Sequence, residues 1–190
     1  MSENEKNLIV PFIKGASVNL LPVNLENIDL YFKWVNHQKM RMFSRNEIPH
    51  TKEEIKKWFE PKEGSQKSMD FEVWHKKDEK IIGMGGLNLI NFVIRKANLW
   101  MEIGEFQYWS KGLASEAVEL LLEYGFNELN LHKIYAGIFE PNIPSWKCAE
   151  RVGFKLEGKL KKSVYVEGKY YDERKYKILK EEWQKKTNLK

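Results

Sequence analysis

The chain has 190 residues, 42% of them hydrophobic and 31% charged, with a formal net charge of +5, a single cysteine and an aromatic set of Phe 10, Tyr 8 and Trp 7. Such a length and composition suit one domain with a substantial core and exclude a disordered or disulfide-stapled chain. Apolar runs fall short of the roughly 20 residues of a membrane helix, MSENEKNLIV lacks a secretion signal, and the lone Cys148 fits a reducing compartment, so a cytoplasmic location is expected.

Positive charge gathers near the C-terminal end, in Lys159, Lys161, Lys162, Lys169, Arg174, Lys175 and Lys177. With no nucleic-acid module in view, this reads first as a solvated basic face and second as a surface that attracts anions.

Residues 1–16 read as a lead-in and residues 17–184 as one domain. Ser17–Pro22 is a short strand candidate. A helix opens at Asn24-Leu25-Glu26-Asn27 and runs to about Lys39, with Ile28, Tyr31, Phe32, Trp34 and Val35 as its apolar positions. Thr51 and Glu54 form a capping box for a helix through Phe59, and Pro61–Ser65 is a breaker. Strands follow at Asp70–His75, Ile81–Leu89 and Ala97–Ile103, with Lys77–Lys80 turning between the first two. Gly83-Met84-Gly85-Gly86 lacks the helix that a dinucleotide fingerprint needs after it and reads as a bulged, close-packed strand.

Ala114, Ala117, Val118, Leu121, Leu122, Gly125 and Leu129 then make one helical stripe. Ile134–Phe139 is a buried strand. Pro141–Pro144 turns into a helix over Ser145–Val152, which Gly153 stops. Two last strands, Leu160–Val166 and Tyr170–Leu179, flank a hairpin turn at Glu167-Gly168.

Chemistry concentrates where the strand ending at Ile103 runs through Tyr108-Trp109-Ser110-Lys111-Gly112 into the striped helix. A loop with small residues at Gly112 and Ala114 leaves backbone N–H groups unpaired at the positive end of a helix dipole. That is an anion site, best suited to phosphate. The P-loop pattern and the nucleophile elbow are both absent from the chain. The histidines at 37, 50, 75 and 132 are scattered, so no metal is expected. Cys148, among Trp146, Ala149 and Val152, reads as a packing residue.

Three segments in order, A-N-L-W-M-E-I-G-E-F-Q-Y-W-S-K-G-L-A-S-E-A, N-I-P-S and E-R-V-G-F, resemble the GNAT (Gcn5-related N-acetyltransferase) superfamily over nearly the whole chain. The likeness is greatest to its RimJ/RimL-like ribosomal-protein alanine acetyltransferase branch. It implies an α/β (α+β) GNAT fold: a mixed central sheet of about seven strands with one splayed pair and about four flanking helices. It also implies acetyl-CoA as co-substrate, with no metal. The pyrophosphate would meet backbone N–H groups of Lys111, Gly112, Leu113, Ala114 and Ser115, and Trp109 stands where the family carries Gln or Arg. The pantetheine arm would pair with the backbone of Glu102, Ile103 and Gly104. Asn142 matches a position that bonds this arm, or is simply a turn residue.

The chain departs from the family at two catalytic positions. Asn98 replaces the usual strand carboxylate, and Ala149 replaces the tyrosine many members use as acid. Glu102, four residues along on the same strand face, is the candidate base, with a solvated glutamate as the alternative. Ser145 is the candidate proton donor to the departing thiolate, with a helix cap as the alternative. Acceptor-lining candidates are Trp34, His37, Phe43, Arg45, Glu72, Trp74, Tyr165 and Tyr171, while Asp172 reads as structural.

The expected activity is acetyl transfer from acetyl-CoA to an amine-bearing small molecule or a protein N-terminus. A polyamine or aminoglycoside acceptor and a non-catalytic acyl-CoA-binding module are the alternatives. Nucleic-acid and membrane partners are not expected, and a homodimer is left open.

Overall fold

The computed structural model describes residues 9–44, 48–60 and 67–188; Arg45 and the breaker at 61–65 lie outside them. Eight strands form one sheet: β1 (Ile13–Lys14), β2 (Val18–Pro22), β3 (Lys67–His75), β4 (Lys80–Asn91), β5 (Lys96–Ile103), β6 (Lys133–Phe139), β7 (Lys155–Val166) and β8 (Lys169–Leu179). Their spatial order is β1-β2-β3-β4-β5-β6-β8-β7, antiparallel throughout except for the parallel β5–β6 pair. The described helices are α1 (Ile28–Asn36), α2 (Gln38–Ser44), α3 (Lys52–Trp58), α4 (Leu113–Glu123), α5 (Ile143–Val152) and α6 (Lys180–Thr187). Among the described residues the expected mixed sheet is present, with eight strands where about seven were expected and six helices where about four were.

Alternation along the strands sends apolar side chains to both faces. On one face Val18, Leu20, Phe71, Val73, Leu87, Ala97, Leu99, Ile134 and Ile178 pack under Ala117, Val118, Leu121 and Leu122 of α4. Leu121 and Leu122 are fully buried, each contributing about 1.5–3 kcal/mol. On the other face Ile28, Tyr31, Trp34 and Val35 of α1 and Ile55 of α3 close over Met84 and Trp100. The sheet is therefore covered on both sides, as a mixed sheet with crossover helices requires.

Several boundaries differ from expectation for local reasons. The lead-in contributes β1, and Phe12 beside it stacks on Phe71 at 5.5 Å. The helix read from Asn24 to Lys39 is three pieces, because Asn24 caps a short 3-10 turn at Leu25–Asn27 and His37 (ψ 126°) breaks α1 from α2. The capping box of Thr51 and Glu54 is formed. The striped helix ends in a π turn over Tyr124–Glu128, where Leu129 N–H reaches the Tyr124 carbonyl. Gly125 lets that turn lie against the sheet, since a Cβ there would sit 2.7 Å from Ile134 Cδ1. Strand β7 begins at Lys155, five residues earlier than its alternation suggested, because it is an edge strand with nearly every side chain exposed.

Candidate active site

The β5–β6 pairing covers only Lys96–Lys133, Ala97–Ile134 and Asn98–Tyr135. Beyond Asn98 the strands part, while β5 continues to Ile103 and β6 to Phe139. An edge opens inside the sheet. Its polarity follows from the ladder on the other side of β5: the Glu102 carbonyl points at Gly83 of β4, so by alternation the amide groups of Met101 and Ile103 face the gap. Of the three residues expected to present backbone there, Ile103 does so, Glu102 turns its backbone to β4, and Gly104 lies beyond the strand end. Gly104 is pinned beneath Trp34, whose ring would collide with a Cβ at 2.1 Å.

At the mouth of this gap α4 begins without a side-chain cap. Ser110 (φ 60°) and Gly112 (φ 81°) both adopt the left-handed region, which curls the loop and aims the first N–H groups of α4 outward. Glycine answers the positive φ at 112, where a Cβ would meet no protein atom within 4 Å; the space in front of the helix start is open. Lys111, Gly112, Leu113, Ala114 and Ser115 thus surround the start of α4. Trp109 is not a bystander. Its Nε1 donates to the Ile103 carbonyl at 2.7 Å, and its ring meets Phe43 at 5.7 Å and Phe106 at 5.1 Å edge to face.

Across the gap Asn142 caps α5, accepting the Ser145 N–H at 3.3 Å, while its Nδ2 donates to the Phe43 carbonyl at 3.3 Å. The helix therefore starts at Ile143, and Ser145 stands in its first turn rather than at the cap. Cys148, one turn on, lies 3.2 Å from the Ser115 hydroxyl and ties α5 to α4. Burial pushes its thiol up, in keeping with a packing role. Ala149 is part of the core, and Asn98 donates to Asn88 at 2.8 Å between strands, so neither offers acid or base chemistry.

The face under α1 and α3 carries a line of carboxylates that strand registers create. Glu72 pairs with Met84, and Met84 with Glu102. Continuing the Asn98–Tyr135 register four residues brings Glu102 level with Phe139, which pairs with Glu173. One row thus crosses the sheet, broken only by the gap. Glu72 and Glu173 are the buried acidic residues among those described. Glu72 is occupied by the Tyr31 hydroxyl and by Asn27 Nδ2 at 2.8 Å, and burial raises its pKa. Glu173 pairs with Lys175 at 2.8 Å. Glu102 differs: it keeps part of its surface accessible, its carboxylate meets no donor among the described residues, and desolvation by the protein packed around it pushes its pKa up to about 7.

Other candidates scatter. Trp34 donates to Glu105 at 3.0 Å and His37 meets the Phe106 ring at 4.6 Å, both lining a 300 Å³ cleft beside Gly104. Phe43 closes over the gap, whereas Trp74 pairs with Asn19, away from it. Tyr171 lies two residues before Glu173 on β8, and Tyr165 packs on Tyr170 at the exposed hairpin. Asp172 binds Lys161 at 2.8 Å and the Lys162 N–H at 3.0 Å, a structural clamp. Glu173 was missed because its place in the row depends on a pairing four strands away from Glu72. The basic C-terminal surface is largely ion-paired, through Lys155–Glu182, Lys159–Glu140, Lys161–Asp172, Lys175–Glu173 and Lys177–Glu182.

A covered mixed sheet that opens between two parallel strands, with an uncapped helix start at the opening, defines an acetyltransferase class of α/β fold. The chain belongs to the acetyltransferase (GNAT) domain family, whose model matches residues 17–155. YnaD of Bacillus subtilis (strain 168), an uncharacterised N-acetyltransferase, is 46% identical over 76 residues, covering 40% of this chain and 45% of YnaD. Spermidine N(1)-acetyltransferase of Escherichia coli (strain K12) is 34% identical over 93 residues, covering 49% of this chain and 50% of that protein. The chain thus spans about half the length of these curated relatives. The crystal structure of spermidine N-acetyltransferase from Vibrio cholerae in complex with CoA and spermine superposes with a TM-score of 0.79 at 23% identity, over 88% of this chain and 98% of that one. At that identity the likeness speaks for the fold. The family rests on the domain model over residues 17–155, which does not distinguish the RimJ/RimL branch within it. Among the described residues, no helix is long and apolar enough to cross a membrane.

Proposed function

We propose that this chain moves the acetyl group of acetyl-CoA to a primary amine in a ternary complex, with Glu102 receiving the amine proton. One observation carries the reading: the unpartnered Glu102 side chain lies on the same strand whose far edge is open at Met101 and Ile103. An extended pantetheine arm can pair with that edge as an added strand. Its pyrophosphate then falls on the N–H groups of Gly112, Leu113, Ala114 and Ser115. The donor supplies an activated acyl group with thiolate as leaving group.

The nitrogen of the acceptor forms a bond to the thioester carbon only after the ammonium has given up one proton and freed its lone pair. A carboxylate titrating near 7 is matched to take that proton at neutral pH. A backbone N–H at the gap stabilises the oxyanion, the carbon–sulfur bond breaks, and Ser145 supplies or relays a proton to the sulfur. Asn142, fixed against Phe43, positions that side of the gap. Holding the two reactants in register can itself lower the barrier by roughly 7–11 kcal/mol.

Glu102 is the carboxylate of this row left unpaired, Glu72 being held by Tyr31 and Asn27 and Glu173 by Lys175, so the acceptor must bring it a primary amine. A protein N-terminus, as in the RimJ/RimL-like branch, and a polyamine, as in the relatives named for spermidine, both satisfy it. A thiol-release assay with acetyl-CoA and a panel of peptides, polyamines, amino sugars and aminoglycosides tests the reading. Saturable CoA binding with no turnover on any amine would replace it with a non-catalytic acyl-CoA-binding module.

A further inference from the structure

The side of the gap that carries Asn142 and Ser145 is held from behind by a cation that the proposed chemistry does not use. Arg174 stands on β8, paired with Ile138 of β6. By alternation its side chain lies on the same face as Tyr176, which belongs to the core with Ala149 and Val152 of α5. Its guanidinium carbon sits over the Trp146 ring, 4.6 Å from the centroid, and its Nη2 donates to Glu140 Oε1 at 3.1 Å. The Trp146 indole is tied to the same residue, because its Nε1 donates to the Glu140 carbonyl at 3.2 Å. Arg174, Trp146 and Glu140 thus make a closed ring of contacts around the turn from β6 into α5.

That turn is the part of α5 whose position matters to the gap. Trp146 follows Ser145 in the chain, and its backbone N–H donates to the Asn142 carbonyl at 3.2 Å. The indole, the Ser145 backbone and the Asn142 cap are therefore one mechanical unit. The rest of α5 has anchors of its own. Ala149 and Val152 are buried, and Glu150 accepts the Tyr176 hydroxyl at 2.7 Å. The body of the helix is secured without the stack on Trp146, so what Arg174 adds is the placement of the first turn.

The guanidinium is kept there at a cost. Its Nε is buried without a hydrogen-bond partner among the described residues, an orphan donor of a kind that folded proteins seldom retain. Glu140 does not need it for charge balance, since Lys159 reaches the same Oε1 at 3.3 Å. The place calls for a planar cation that lies flat on an indole while donating edge-on to a carboxylate, which an ammonium cannot do. A local rule broken in this way is expected where a site is being positioned.

We propose that Arg174 is a positioning residue for acetyl transfer: stacked on Trp146 and bonded to Glu140, it fixes the first turn of α5 and with it the placement of the Ser145 hydroxyl at the gap. The inference rests on the acetyl-transfer reading and adds to it a residue that touches neither reactant.

A double-mutant cycle in the full chain tests it, with thiol release from acetyl-CoA followed on spermidine and on a peptide with an N-terminal alanine. Arg174→Lys is expected to lower kcat by about five- to tenfold, the scale of a small misplacement of a reacting group, with the KM for acetyl-CoA changed by less than about twofold. In a Ser145→Ala background the same substitution is expected to change kcat by less than about twofold. Equal losses in the two backgrounds would overturn the positioning role and leave the acetyl-transfer reading intact, since a merely structural contact weakens both alike. Ser145→Ala at wild-type kcat would overturn it too, by removing the group to be positioned. Trp146→Phe keeps a ring under the guanidinium and gives up the indole bond. It is expected to cost about two- to threefold in kcat when Ser145 is present and nothing when it is absent; a loss in both backgrounds counts against the proposal. Lys159→Ala, which removes the other cation on Glu140, is expected to leave kcat unchanged, and a loss equal to that of Arg174→Lys would assign the effect to the charge of Glu140 instead. Wild type that releases no thiol on either amine would overturn the acetyl-transfer reading and the positioning role together.

Discussion

The two sides of the gap are built from different materials. On the proposed donor side the parts are main chain: the amide edge of Met101 and Ile103 and the uncapped start of α4, shaped by two left-handed residues. On the proposed acceptor side they are side chains, Glu72, Glu102 and Glu173, aligned by the registers of strands far apart in sequence. The difference teaches where each is fragile. A main-chain site tolerates changes of side chain but not of backbone conformation, whereas a row of carboxylates can be retuned one residue at a time.

The sharpest way to break this contrast is at Glu102. Glu102→Gln is expected to lower kcat/KM by about 10²–10⁴-fold and to abolish an inflection near pH 7 in its pH profile, with CoA affinity little changed. A profile that keeps the inflection would assign the base elsewhere. The same substitution separates function from stability. Since the native carboxyl titrates near 7 and the unfolded one near 4.5, the native state holds more protons between those values, and its stability falls as pH rises through that window. Glu102→Gln should therefore unfold later than wild type above pH 7, by on the order of 3 kcal/mol, with the difference fading below pH 4.5. Denaturant melts at pH 4 and pH 8 measure it.

On the donor side Gly112→Trp is expected to weaken CoA binding by at least about tenfold, since it strains a φ of 81° and fills the space before the helix start. Calorimetry reads the loss, and unchanged affinity would dissolve the assignment of the phosphate site. The smallest expected effect is at Trp109→Phe. It removes the indole bond to the Ile103 carbonyl, a contact worth about 1 kcal/mol that competes with a paired ligand for the strand edge, and keeps a smaller aromatic ring beside Phe43 and Phe106. CoA should bind up to about fivefold more tightly. Weaker binding would show that the indole belongs to the bound state and does not compete with the ligand.

Most elements were legible because their causes are local. The Thr51–Glu54 box, the helical stripe from Ala114 to Leu122, the Gly153 stop and the hairpin at Glu167-Gly168 each depend on neighbours within a few residues. The short β1 was not legible, because two residues become a strand only by pairing with β2. Nor was the break at His37, where the Asn36 side chain exchanges hydrogen bonds with the backbone of His50. The edge strand β7 hid five residues for the opposite reason: exposed on both faces, it carries little alternation to read.

For the site, the sequence by itself was enough to propose the donor side. A phosphate cradle is made of successive backbone groups, so the order of residues from Trp109 to Ser115 is enough to describe it. It also determined that Asn98 and Ala149 cannot supply the missing acid and base. The tertiary structure decided that Glu102 is desolvated and unpartnered, that Glu72 and Glu173 stand level with it, and that Arg174 lies over the Trp146 ring. Burial and register are properties of strands brought together across the fold. A carboxylate takes its acidity from neighbours the chain order does not place beside it.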